Sequence, residues 1–135
     1  MRVVEFNHEE PYGSNERDRP TVPFRFESPE GDRYTSSAVL DTGAWTSVFA
    51  VTLAPLFGIV DVDSGEETWL RLPNGEEVLA YSHPCRLQVL GRWLTIRVAF
   101  SPQLPSDMVN LLGMRDLFEE LVVGFTHRER LVLAT

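Results

Sequence analysis

The sequence predicts an all-β, barrel-like domain, on three observations. Short segments of alternating apolar and polar residues recur along the chain, hairpin signals sit between them, and only two segments have a helical character, both short. Val22, Phe24 and Phe26 alternate with Pro23, Arg25 and Glu27, the pattern of a half-buried strand. Ser28-Pro29-Glu30-Gly31-Asp32 supplies the dihedrals of a tight reversal, and Arg33 to Leu40 returns as a second strand that ends in the apolar Ala38-Val39-Leu40. Asp41-Thr42-Gly43 breaks that strand. A short helix is expected from Val51 to Phe57, stopped by Gly58.

A second strand-rich region comes next. Thr68 to Leu72 and Glu77 to Tyr81 flank Asn74-Gly75, a dipeptide whose tolerance of positive φ makes it a strong hairpin signal. Arg86 to Leu90 and Trp93 to Phe100 flank Gly91-Arg92 as another hairpin. Arg115 to Leu121 reads as the second short helix, with Asp116 near its positive end, and Leu131 to Leu133 as a last strand. Met1 to Phe6 is expected as a short strand, while Asn7 to Pro20, rich in Pro, Gly and Asn, reads as a loop or flexible arm. The chain thus divides into an arm over residues 1–20 and one domain over 21–135.

Composition narrows the function classes. The formal charge is −8, and all 12 basic residues are arginine. An acidic chain argues against nucleic acid, whose binding is driven by basic residues that release counterions. No run of about 18 apolar residues is present, so no membrane partner is expected, and a cytoplasmic location is the expectation. Cys85 is the single cysteine, which excludes an intrachain disulfide and a thiolate metal cluster and places it in the core as a small apolar residue.

The segment Leu40-Asp41-Thr42-Gly43-Ala44 resembles the active-site signature of retropepsin-like aspartic peptidases. Leu111-Leu112-Gly113, followed by Arg115-Asp116-Leu117-Phe118, resembles the second signature of that family, and the Asn74-Gly75 hairpin lies between the two, where the family places its flap. Val48 to Ile59 is closer to the cellular members than to the viral ones. The resemblance spans about residues 21 to 133. It implies an acid-protease barrel that forms half of a two-fold symmetric homodimer, with Asp41 of each protomer as the catalytic pair. Thr42, Gly43, Ala44, Leu112 and Gly113 would support the site. Trp45 and the hairpin tip Pro73, Asn74, Gly75 and Glu76 would meet a peptide or protein substrate. No metal and no organic cofactor is implied.

The chemistry explains the residue types. Peptide hydrolysis without a covalent intermediate needs an activated water and a polarised carbonyl. Two carboxylates in contact cannot both ionise, so one stays protonated as acid while the other serves as base. One chain offers one such aspartate, so the second must come from another copy across an isologous interface.

Three features depart from the family pattern. Trp45 stands where a small polar or acidic residue is usual, Met114 separates Gly113 from Arg115, and the hairpin tip carries Glu76 and Glu77 in place of glycines. Two acids there would favour basic or neutral peptides. The first two departures motivate an alternative: a catalytically inactive dimer of the same fold that binds an extended peptide or a partner protein. Asp63-Ser64-Gly65 also spells a permitted active-site triplet, but Glu66 and Glu67 follow it, and it reads as a surface turn. His8, Glu9 and Glu10 are adjacent and converge poorly on one ion, and the Asp61 to Leu72 segment fails the calcium-loop pattern. His83 and His127 are expected at the surface, Trp69 and Trp93 in the core or an interface.

Overall fold

The computed structural model describes residues 1–13 and 19–135, and its strands follow the sequence pattern closely. The ten strands among these residues are β1 (His8–Pro11), β2 (Thr21–Glu27), β3 (Arg33–Leu40), β4 (Ser47–Val48), β5 (Glu66–Arg71), β6 (Glu77–Val89), β7 (Arg92–Phe100), β8 (Asn110–Leu112), β9 (Val123–Thr126) and β10 (Leu131–Ala134). Six of them close on themselves in the order β2-β3-β8-β4-β7-β6, with β6 returning to β2 through Phe24↔Val89 and Arg25↔Gln88. Strand β5 extends β6 outside the closed barrel, and β1-β10-β9 form a separate antiparallel sheet. The fold is all-β, as the alternation predicts.

The barrel interior is aromatic. Phe24, Phe26, Phe49 and Phe100 are buried, with Phe24 stacked on Phe49 at 4.8 Å between centroids and Phe100 meeting Phe49 edge-on at 6.3 Å. Such offset and T-shaped contacts suit the ring quadrupoles and add to the apolar area removed from water. Cys85 lies among these residues, and burial pushes its thiol up to about 12.

Several local expectations need correction. Residues 1–7 carry no strand; the strand is His8–Pro11, inside the segment read as loop, because it finds a long-range partner in β10. Residues 14–18 of the expected arm lie outside the described residues. The helix expected at Val51 to Phe57 is a 3-10 helix, closed by Gly58 at φ 85. Pro55 within it has no amide to give to an α-helical ladder. The two strands expected on either side of Ser82 to Cys85 are one 13-residue strand, β6, whose first half pairs with β5 and second half with β7. Its hairpin with β7 turns on Leu90-Gly91, at φ 51 and 79, and not on Gly91-Arg92. Burying the Leu90 side chain offsets the cost of its left-handed backbone. The second helix is a single turn, α1 (Leu117–Glu120), and β9 was not foreseen.

Two relationships set the geometry around Asp41. β3 and β8 run parallel, pairing Ala38↔Asn110, Val39↔Leu111 and Leu40↔Leu112. The two apolar runs that end in glycine thus lie side by side. Asn110 anchors the pair: its Oδ1 accepts from the Ala50 amide at 2.8 Å and its Nδ2 donates to the Ser37 carbonyl at 3.1 Å. No helix among the described residues is long and apolar enough to cross a membrane.

Candidate functional site

Asp41 is the first residue past β3, and its backbone amide donates to the Leu112 carbonyl at 2.9 Å. The parallel ladder is thereby extended by one residue. The chain then turns sharply. The Gly43 amide donates to Asp41 Oδ1 at 2.9 Å, and the Ala44 amide to the Asp41 carbonyl at 3.2 Å. Asp41 is half-buried with one carboxylate oxygen held by its own loop, while Thr42 and Gly43 are exposed at the loop tip.

The strand leaving β8 crosses directly beneath this loop. The Gly113 amide donates to the buried Ser47 hydroxyl at 3.0 Å, the Met114 amide to the Ala44 carbonyl at 2.9 Å and the Arg115 amide to the Trp45 carbonyl at 2.9 Å. A Cβ at position 113 would lie 2.7 Å from the Thr46 carbonyl carbon, so the crossing requires glycine. Ala44 and Leu112 therefore bond the Asp41 backbone and Gly43 its carboxylate, while Gly113 packs against the loop further on, at Trp45 to Ser47. Met114, inserted before Arg115, occupies one of the crossing hydrogen bonds itself.

A groove of about 610 Å³ opens over Asp41. Gly43, Ala44 and Trp45 form one side. Trp69, Leu72 and Pro73, from β5 and its turn, also line the groove. Leu104, Met108 and Leu111 close an apolar end. Asp41 and Arg71 carry the only formal charges of the lining. Asn74, Gly75 and Glu76 form the exposed tip of the β5–β6 hairpin beyond the groove. There Gly75 adopts φ 87, and the Glu76 amide donates to Asn74 Oδ1 at 2.9 Å. Arg71 meets Glu77 at 3.5 Å, so one of the two acids near the tip has a cationic neighbour.

Other sequence candidates fall elsewhere. Trp69 and Trp93 are not core residues: both are exposed, Trp69 beside the groove and Trp93 under the Arg86 guanidinium at 4.4 Å. Asp63-Ser64-Gly65 lies on a 3-10 turn away from the groove, as its surface reading predicts; there a hydrogen bond that protonated Asp61 donates to the neighbouring Asp63 carboxylate raises the Asp61 carboxyl above its usual value. His83 is half-buried, its Nε2 2.7 Å from the Val62 carbonyl, which requires the proton on Nε2. His127 is exposed. No group of three or more His, Cys, Asp or Glu able to hold a metal occurs among the described residues.

Sequence reasoning missed two parts of the arrangement. Leu104 and Met108 come from a Pro-containing loop whose apolar residues carry no period that would point them at Asp41. Asp116 stands at the N-cap of α1, as its helix-end reading predicts, but it is also the partner of Arg97 in a fork, Nε to Oδ2 at 3.0 Å and Nη2 to Oδ1 at 2.7 Å. The Arg97 guanidinium holds the Asp116 carboxyl below its usual range. Compared with protein-family models and with curated proteins, the chain matches none.

Proposed function

We propose that the chain is a retropepsin-like aspartic endopeptidase that works as a homodimer. The observation that carries this reading is the interlock of the Asp41 loop with the Gly113–Arg115 crossing, which presents a half-buried carboxylate on the floor of a groove walled by a β-hairpin. Asp41 is the only carboxylate of that groove, so an acid–base pair needs the Asp41 of a second copy.

The two carboxyls share one proton. The ionised one takes a proton from water as the water oxygen attacks the scissile carbonyl carbon; the protonated one stabilises the developing oxyanion and, after proton redistribution, the leaving amine departs protonated. Gly43 and Ala44 keep Asp41 fixed during these transfers, while the Pro73–Glu76 tip covers the peptide. Trp45, Trp69 and Met108 offer apolar contacts for substrate side chains.

A second reading keeps the dimer and drops the chemistry. It is favoured by Trp45, 60% exposed beside Asp41, and by exposed Met114, both suited to holding a peptide without turnover. Incubating wild type and Asp41→Asn with a diverse peptide library from acidic to neutral pH separates the two. Cleavage by wild type alone is the expected result. Peptide capture without cleavage by either protein would transfer the assignment to the binding module, and cleavage by the Asn variant would end the peptidase reading.

A further inference from the structure

Outside the groove that Asp41 lines, the register aligns a transverse row of outward side chains across four strands. Arg25 of β2 pairs with Thr35 of β3 on one side and with Gln88 of β6 on the other, and Gln88 pairs with Trp93 of β7. Four adjacent strands set about 4.8 Å apart place the ends of this row roughly 14 Å from each other. The row lines a depression of about 460 Å³, with Arg33 and Glu27 at its rim. That volume is in the range of small-molecule sites, roughly 300–1,000 Å³.

The charge of this depression runs against that of the molecule. The chain carries 20 acidic and 12 basic residues, yet the lining holds Arg25 and Arg33 against Glu27 alone. Glu27 approaches Arg33 at 4.0 Å, an exposed and weak contact. Arg25 has no acidic partner within salt-bridge distance among the described residues. At the other end of the row, Arg86, outside the lining, stands 4.4 Å over one face of the Trp93 ring and leaves the indole 42% exposed.

We propose that this depression binds a small anion carrying a flat aromatic ring, of the class of a nucleoside monophosphate. The ring stacks on the Trp93 face turned away from Arg86, the anionic group reaches the Arg25 guanidinium as a charge-assisted fork, and Gln88 and Thr35 supply hydrogen bonds between and beyond them. The net charge of −8 sets such a site apart from a polynucleotide surface, since a long polyanion is repelled by the rest of the chain. The site is independent of Asp41 and of the activity proposed there.

Calorimetric titration of the full chain with AMP, GMP, CMP and UMP, paired with tryptophan fluorescence, tests it. At least one of the four should bind and quench tryptophan emission in the wild type, and that quench should be lost in Trp93→Leu, which keeps Trp45 and Trp69. Arg25→Gln and Trp93→Leu, both at exposed positions, should each weaken binding about tenfold, the worth of one charge-assisted contact or one stacked ring. Adenosine and inorganic phosphate, each carrying half of the chemistry, should bind at least tenfold more weakly than the best nucleotide. The proposal is overturned if none of the four binds, if both variants bind as well as wild type, or if phosphate alone binds as tightly as the nucleotides.

Discussion

The amide of Asp41 and the carbonyl of Leu112 meet at 2.9 Å, one residue beyond the last pair of the parallel β3–β8 ladder. This hydrogen bond, with the adjoining Gly113 to Arg115 crossing, makes the Asp41 loop part of the barrel and not an appendage to it. Gly113→Ala tests the point. The added methyl would press on the Thr46 backbone, which cannot swing away as a side chain could. Overpacking of this kind costs about 1–3 kcal/mol. Chemical denaturation should show that loss, and amide exchange at Met114 and Arg115 should accelerate first, since their donors face the displaced loop.

Much of this arrangement is legible in the sequence. The alternation of Val22, Phe24 and Phe26 places a strand with the correct face inward, and Asn74-Gly75 places a hairpin, because both signals are local and each rests on a single physical cause. Gly113, which ends the second apolar run, marks the place where backbones cross, whereas Gly43 faces only the Asp41 side chain of its own loop. What stays hidden depends on distant partners. His8–Pro11 is polar and becomes a strand because β10 offers it an edge. Leu90 enters a left-handed turn because its side chain is worth more buried than its backbone costs. Leu104 and Met108 reach the groove through a loop with no period, and Arg97 finds Asp116 across sequence that no motif connects.

Asn110 gives a second test. It is a nearly buried polar side chain that accepts from Ala50 and donates to Ser37, tying β8 to β3 and to the chain after β4. Asn110→Ala removes both contacts and leaves the Ala50 amide without its acceptor. An orphaned buried group costs about 1–3 kcal/mol, and the small cavity adds to it. Thermal unfolding should shift down accordingly, whereas Ser37→Ala, which keeps the carbonyl partner, should change little.

Trp45 separates substrate contact from stability. Its side chain is 60% exposed, so Trp45→Ala should leave the melting temperature nearly unchanged. On the proposed reading its indole borders the groove beside Asp41, and losing it should raise KM several-fold with a smaller change in kcat. An unchanged KM would remove Trp45 from the substrate site, and a large drop in melting temperature would show that it supports the fold.

Asp116 gives the stability of the chain a dependence on pH. Its backbone stands at φ 68, ψ −52, and the Leu117 amide donates to the Arg115 carbonyl at 2.8 Å across it, a γ-turn of the strained hand. The fork with Arg97, and the Arg97 amide donating to Oδ2 at 2.8 Å, hold this turn in place directly after the crossing under Asp41. The Asp116 carboxyl lies below its ordinary value of 3.8 in the folded chain, first because of the hydrogen bond from Arg97. A lowered carboxyl pKa contributes stability that is fully present above the unfolded value and is lost as pH falls through the folded value. Asp116→Asn keeps the shape, removes the charge and should therefore destabilise the chain at neutral pH. The gap between wild type and variant should begin to narrow as the pH falls below about 3.8, where the unfolded chain takes up the proton, and close as it falls through the lower folded value. Denaturation midpoints measured for both proteins across acidic and neutral pH decide it. A gap that stays constant down to strong acid would mean that the fork acts through geometry alone, and Arg97 would contribute nothing by its charge.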